Sequence, residues 1–499
     1  MNAHLPVLPV LVPMATAVLL IFGQAWSRGT RRWLSMAGLV VQGAVLATLG
    51  GVLAGQGPQA YFLGNWSAPF GIVLVADHLS LWLLWTTWAL ATAALVYACR
   101  GADGVNRRFH VLFHFQLMGI NGAFLTGDLF NLFVFFEVLL IASYTLLNHG
   151  GGKARTRAAL HYVTLNLVGS SVFLIALGML YASLGTLNMA HLSERMAAVE
   201  GTAETLARGA GYLLLLVFGL KAAMVPMYAW LPRTYAAASG PVAALFAIMT
   251  KVGVYAVLRV FTLLYGEQGR LAGLGDEVLF LVALLTLAAG SLGVFSAHNL
   301  RRLSAWMVVL SAGILMAAVA MGGAELLGAM LYYLAHTTLA TGLLFLLADR
   351  IRERGGAEAD DWRLASLPSP GPALGILFLV AAVAAVGLPP LSGFFAKAQL
   401  LLASHDHDWS WWYWLALLGS SLILLLAFSR AGSSLFWRRS GQAMAGYEPL
   451  AVLVLAGLAA TLLVLALAQQ PLMELAAKAA ADLLDVDAYR QLVLGKEAG

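Results

Sequence analysis

Apolar residues fill this chain in blocks of about twenty, separated by short polar stretches that hold most of the arginines. A block of that length, wound as a helix, matches the hydrocarbon core of a bilayer. Hydrophobicity windows predict fourteen such spans. They lie near 7–24, 33–54, 71–98, 109–126, 128–147, 158–182, 210–231, 239–265, 277–297, 303–321, 326–347, 371–402, 411–429 and 448–468. Two carry their own interruption: "GLKAAMVPMYAWLP" (219–232) holds Pro226 and Pro232, and "GLPPLSGFFAK" (387–397) holds Pro389, Pro390 and Gly393. Proline removes a backbone donor and crowds the preceding turn, so the seventh and twelfth spans are expected to unwind locally. Their separation by five spans suits two five-helix repeats of opposite topology, spans 4–8 and 9–13, with interrupted helices beside the site. The 183–209 connection and the tail from Pro471 are roughly amphipathic and are expected to lie on the outer surface.

Composition agrees with an all-α polytopic membrane protein. Of 499 residues, 61% are hydrophobic and 11% charged, and the mean hydropathy is +0.83, too few charges to cover a soluble protein of this length. The net charge of +5 is no sign of nucleic-acid binding, because the basic residues sit in short loops between apolar blocks. Cys99 is the only cysteine, which removes internal disulfides, cysteine-ligated clusters and structural zinc from consideration. No cofactor motif is present, and no set of residues makes a sodium cage; Asp128 and Asn131 are candidates by position alone. The N-terminal "MNAHLPVLPVLVPMATAVLLIF" lacks a basic leading region and reads as an uncleaved first span. Loops after odd-numbered spans hold nineteen Lys and Arg, from Arg28 to Arg439, whereas the opposite loops and the tail hold six: Arg195, Arg208, Arg270, Lys478, Arg490 and Lys496. The positive-inside rule therefore puts both termini away from the cytoplasm.

Four basic residues remain inside the spans: Lys221, Lys251, Arg259 and Lys397. Glu137 lies near the middle of "GDLFNLFVFFEVLLIASYTLL" (127–147), and Phe133, Val134, Leu140 and Ile141 on its own helix offer it no partner. His336 is near the middle of span 11. A charged side chain at the centre of a membrane helix costs about 2.5–3.5 kcal/mol on the most lenient scale, so such groups pair, face internal water or carry chemistry. Taken singly each has a bland reading. Glu137 and Lys221 could be a structural pair, and His336 a neutral helix contact. Asp77 and Asp128 lie at span starts, where a carboxylate is often a cap. His110, His114 and His161 lie near span ends, Arg259 is expected to reach the interface, and "WSWWYW" (409–414) reads as an aromatic belt. The set says more than its members. One acid and several bases at similar depth, on separate helices beside broken ones, form a candidate proton relay. Burial disfavours the charged form of each group and a nearby opposite charge restores it, so a Glu137–Lys221 pair that opens and closes would pass a proton along.

The wording "GDLFNLFVFFE", "GLKAAMVPMYAWLPRTYAAASGPVAALFAIMTKVGVYAVLR" and "GLPPLSGFFAK" resembles the antiporter-like subunits shared by respiratory complex I and Mrp-type cation/proton antiporters, most of all the D-type member of the Mrp-type complex. The resemblance implies fourteen helices, inverted repeats at 109–265 and 277–429 after an N-terminal unit (1–108) and before a last span with its tail (448–499). It also implies a bacterial inner-membrane location and companion subunits. In site terms it implies Glu137 and Lys221 as the principal pair, Lys251 as relay and Lys397 as the second-half terminus, so that the second-half relay rests on His336 and Lys397. The chain departs from its relatives at Thr341, where a lysine often follows the span-11 histidine, and at Ser311, where a histidine or other polar residue is common. "AWLPRTY" also lacks the acid and histidine of the complex I relatives. The expected function is proton movement within a Na⁺ or K⁺/H⁺ antiporter, a transporter subunit and not an enzyme. The alternative is a proton-pumping subunit of a complex I-type or hydrogenase redox enzyme, whose electrons would run through other chains.

Overall fold

The computed structural model describes residues 2–266, 269–356, 358–364, 368–439 and 448–495. Lys496, counted above with the tail, lies outside them, as do the last residues of the 448–499 unit. Among the described residues twelve helices are long and apolar enough to cross a membrane, from His4–Ala25 to Pro449–Leu467. Two shorter apolar helices, Phe109–Leu125 and Pro372–Val386, fall on the fourth span and the first half of the twelfth. Every expected block thus coincides with a helix.

The loops sort onto two faces. On one, Gly127 N–H donates to Val73 (2.8 Å), Met189 N–H to Gly127 (2.8 Å), and His78 meets Asp482 at 2.7 Å, joining loops that follow even-numbered spans. On the other, Arg28 and Arg32 clasp Asp103 at 2.6 Å each, Arg301 holds Asp360 at 2.9 Å, and Arg100 pairs with Glu448. Burial opposes the charge on Asp103, but hydrogen bonds from Arg32, His110 and Arg28 outweigh it and hold the carboxyl well below the usual carboxylate range.

Three helices are buried almost throughout and form an inner row: Gly240–Tyr265, Leu300–Met321 and Ala324–Gly355. They carry Lys251, Ser311 and His336. Leu129–Leu147, with Glu137, lies at the periphery, where Phe130, Val134 and Ile141 are exposed on its outer side. Three features were not expected. A two-stranded antiparallel sheet, Gln59–Phe62 against Val73–Ala76, closes the face of the even-numbered loops, and Leu74 bridges to Thr126. The Met189–Ala197 helix buries Met189, Leu192 and Met196. The Gln469–Leu484 helix docks by Ala476, Ala479, Ala480 and Leu483 onto the bundle, with Ala477 against Gly328. The amphipathic connection and tail are thus packed parts of the fold, not segments merely laid over it.

Candidate functional site

Both expected breaks are present, and each is built around a lysine. The Gly201–Lys221 helix stops at Lys221, and after a 3-10 turn at Met227–Ala229 the chain resumes α-helical form at Trp230–Ala237. The freed backbone groups find partners: Leu220 O accepts from Trp230 Nε1 (3.2 Å), and Val225 N–H donates to Thr286 Oγ1 (2.9 Å). Trp230 is held by stacking on Tyr162, with ring centroids 4.9 Å apart. The twelfth span splits into Pro372–Val386 and Ser392–Ala403, and the turn passes through Gly387 at φ +87°. A side chain there would be strained and its Cβ would lie 2.8 Å from Lys397 Cδ, so glycine is needed on both counts.

Lys397 takes full advantage of that break. Its ammonium donates to Val386 O (2.8 Å), Ala385 O (3.2 Å) and Ser421 Oγ (2.9 Å). All three of its donors are therefore satisfied, two by the carbonyls at a helix C-terminus, where the dipole favours a cation. Lys221 is poorer in partners. It donates to Asn166 Oδ1 at 3.3 Å, and its Nζ sits 5.8 Å from the Phe136 ring centre. Asn166 is turned the right way by its own amide nitrogen, which donates to Tyr162 O (3.0 Å).

Glu137 and Lys221 do not touch. Among the described residues no ion pair joins them; Glu137 instead accepts a hydrogen bond from Ser170 Oγ. Ser170 and Asn166 are four residues apart on the Lys153–Leu184 helix and so share a face. That helix inserts one neutral polar group in front of the acid and another in front of the base. Glu137 is also only half-buried, unlike Lys221.

Lys251 is fully buried and donates to Ser311 Oγ (3.0 Å) on the neighbouring helix. Ser311 gives its own proton to Val308 O (2.8 Å), which leaves a lone pair facing the lysine. The helix bearing Lys251 starts at Met249, just after an interruption at residues 247–248 that no proline or glycine announces. Gly253, two residues after Lys251, brings this helix against the break in the seventh span: a Cβ there would lie 2.6 Å from Ala222 N. His336 Nδ1 meets Ser392 Oγ at 2.9 Å, at the start of the helix that carries Lys397. Thr341 turns back to Thr337 O on its own helix (2.7 Å) and does not stand in for the missing lysine.

The residues treated as structural divide. Asp128 is a cap, accepting from Asn131 N–H at 2.8 Å, and His114 is buried against Ser35 (2.8 Å). Arg259 is buried and pairs with Asp77, the cap at the start of the His78–Ala98 helix, and its guanidinium lies 5.6 Å from the ring centre of Tyr489 in the tail. Cys99, Asp103 and His110 approach one another closely enough to suggest a metal, but the Asp103 oxygens already accept from Arg28, Arg32 and His110. Sequence reasoning missed Asn166, Ser170, Ser392 and Ser421. For the first two a signal existed, since Tyr162, Asn166 and Ser170 line one face of an otherwise greasy helix at four-residue spacing.

A family model described as "NADH:quinone oxidoreductase/Mrp antiporter, TM" matches residues 126–425, a stretch that contains all five candidate residues and both breaks. The chain belongs to this antiporter-subunit family. Among curated members it is similar to the D subunit of a probable K(+)/H(+) antiporter of Rhizobium meliloti (strain 1021), 39% identical over 470 residues and 87% of each chain. It is also similar to the D subunit of the Na(+)/H(+) antiporter of Bacillus subtilis (strain 168), 36% identical and covering 86% of each. Among solved structures a chain of the Mrp complex from Dietzia sp. DQ12-45-1b superposes with a TM-score of 0.85 at 26% identity over 99% of both chains. A chain of respiratory complex I from Thermus thermophilus does so with a TM-score of 0.78 at 26% identity, over 97% of this chain and 100% of the other. This family member therefore shares its fold with membrane subunits of both kinds of complex.

Proposed function

We propose that this chain is the D-type subunit of a multisubunit monovalent cation (Na⁺ or K⁺)/H⁺ antiporter in a bacterial inner membrane. In this reading it is a component of a secondary transporter and not an enzyme, with both termini on the non-cytoplasmic side. It crosses the membrane fourteen times, and spans 4–8 (109–265) and 9–13 (277–429) are inverted repeats. Residues 1–108 and 448–499 flank them. Protons move laterally through Glu137, Lys221, Lys251, His336 and Lys397.

The observation that carries this reading is the alternation of titratable and neutral polar groups. Glu137 faces Ser170, Lys221 faces Asn166, Lys251 faces Ser311, His336 faces Ser392 and Lys397 faces Ser421. A hydroxyl or amide beside each ionisable group hydrogen-bonds it in place between proton transfers and adds no charge of its own. The alternative, a proton-pumping subunit of a redox complex, uses the same fold and the same relay. The curated relatives at 36–39% identity favour the antiporter. Copurification separates the two, since quinone- or hydrogenase-type subunits in the isolated complex would establish the redox assignment.

The test of the relay is the pair of variants Glu137→Ala and Lys221→Ala in the whole complex. Both are expected to assemble and to abolish cation-dependent proton movement in inverted vesicles. Wild-type exchange in either would sink the relay.

A further inference from the structure

On the face formed by loops after odd-numbered spans, six basic side chains line one cavity of about 820 Å³: Lys153, Arg157, His161, Arg233, Arg301 and Arg302. The rest of its wall is alanine, Thr234 and Asn299, with no carboxylate. Elsewhere on this face arginines find partners: Arg28 and Arg32 in Asp103, Arg100 and Arg350 in Glu448, and Arg363 in Asp361, while Arg31, Arg155, Arg430 and Arg439 bond backbone carbonyls. Within the cavity only Arg301 has a carboxylate partner, Asp360 at 2.9 Å. Among the described residues no carboxylate lies within ion-pair distance of Lys153, Arg157, Arg233 or Arg302, and Arg302 leans on His298 Nε2 instead (3.0 Å).

Topology does not account for this. The positive-inside rule asks for basic residues in a loop, and it is indifferent to whether they converge. Here residues from three separate segments do converge, and among the described residues the relief is Asp360 and the Ala236 carbonyl, both engaged by Arg301. Two helix N-termini add to the positive field, since Lys153–Leu184 and Leu300–Met321 both begin at this cavity. The first of them has no acid in its opening turn and no side-chain cap. Such an arrangement is stabilised by an anion that accepts several charge-assisted hydrogen bonds at once, and the tetrahedral phosphate is the group arginine clusters suit best.

The surface beyond the cations says where the phosphate comes from. Lys153, Arg157, Leu160, Thr164 and Leu167 recur at helical spacing, so one stripe of the same helix runs from charge to hydrocarbon. Leu160 is 69% exposed and Leu167 61%. We propose that this cavity binds the phosphate of an anionic phospholipid headgroup, whose acyl chains lie along that leucine stripe.

The experiment uses the full chain, purified and exchanged into phosphatidylcholine nanodiscs, with dioleoylphosphatidylglycerol as the probe. Native mass spectrometry counts retained phosphatidylglycerol, and thermal unfolding reads its stabilising effect. The wild type is expected to retain phosphatidylglycerol selectively over phosphatidylcholine. The double variant Arg157→Gln/Arg233→Gln should bind it about 25-fold more weakly, at about fivefold per lost cation. Arg208→Gln/Arg270→Gln, which removes the same charge from the opposite face, should change nothing. Equal retention by the wild type and the Arg157/Arg233 variant would overturn the proposal. Stabilisation of the wild type by inorganic phosphate alone, lost in that variant, would overturn the lipid assignment in favour of a soluble phosphoanion. Loss of companion proteins from that variant's complex, with phosphatidylglycerol binding unchanged, would mean that an acidic protein segment occupies the cavity instead.

Discussion

Asn166 offers the sharpest test of how Lys221 is held. Asn166→Leu removes the one hydrogen-bond acceptor that Lys221 has among the described residues and keeps the side-chain volume close to the original. Hydrogen bonds to charged groups are worth about 1.5–3 kcal/mol, so the geometry in which Lys221 holds its proton becomes roughly ten- to 150-fold less populated. The structure makes the loss hard to recover. Asn166 is buried, Lys221 is 5% exposed, and the nearby aromatic face of Phe136 lies 5.8 Å away. Cation-dependent proton movement in inverted vesicles of the whole complex is therefore expected to fall at least tenfold, with assembly intact by copurification of the other subunits. Asn166→Gln, which keeps an amide oxygen on this face, should retain part of the exchange. Thr164→Leu is the control, because Thr164 is exposed on the opposite side of the helix and among the described residues bonds Leu160 O of its own helix. Wild-type exchange in Asn166→Leu would refute the claim that this helix couples Glu137 to Lys221.

Two further outcomes rest on groups outside the relay. Asp77→Ala leaves the buried Arg259 charge uncompensated and should destabilise the purified protein by about 3–5 kcal/mol, while pairing it with Arg259→Met should recover much of that loss in a thermal melt. Asp482 ties the Gln469–Leu484 helix to His78; burial opposes its charge, but hydrogen bonds from His78 hold its pKa below the ordinary value. A carboxylate of depressed pKa contributes fully above the ordinary aspartate value of about 3.9 and progressively less as pH falls through the lower folded value. Amide protection factors in the tail helix, corrected for intrinsic exchange, should therefore fall as pH drops through the acid range, whereas Asp482→Asn should lower them at neutral pH as well.

What the sequence made legible, and what it hid, follow from the energetic cost of each residue type. Glu137, Lys221, Lys251 and Lys397 stood out because a charge inside a membrane helix is too costly to be incidental. The two breaks stood out because proline forbids a helical hydrogen bond. Serine raises no such alarm. Ser311 donates to Val308 O and Ser421 to Leu417 O, so each satisfies its own hydroxyl within its helix and would be tolerated there with no further role. Their function depends on what lies across the gap, which no one-dimensional pattern records. The interruption at 247–248 was hidden because "LFAIMTK" contains no breaker. The pairing of Arg259 with Asp77 was hidden for a related reason: reading each span separately cannot pair residues 182 positions apart.

The same distinction bears on the separation of Glu137 from Lys221. Two unit charges in contact at about 4 Å attract by about 4 kcal/mol at an effective dielectric constant of 20, a population ratio near a thousandfold. A pair held that tightly would keep its proton distribution fixed, which serves a structural salt bridge and not a relay. Ser170 and Asn166 are the hydrogen-bond partners the two members have instead of each other. The proposed relay needs an attraction small enough for a change in protonation on either side to reverse. The polar face of the Lys153–Leu184 helix, made of residues too inexpensive to notice in the sequence, is what would let the proposed pair open.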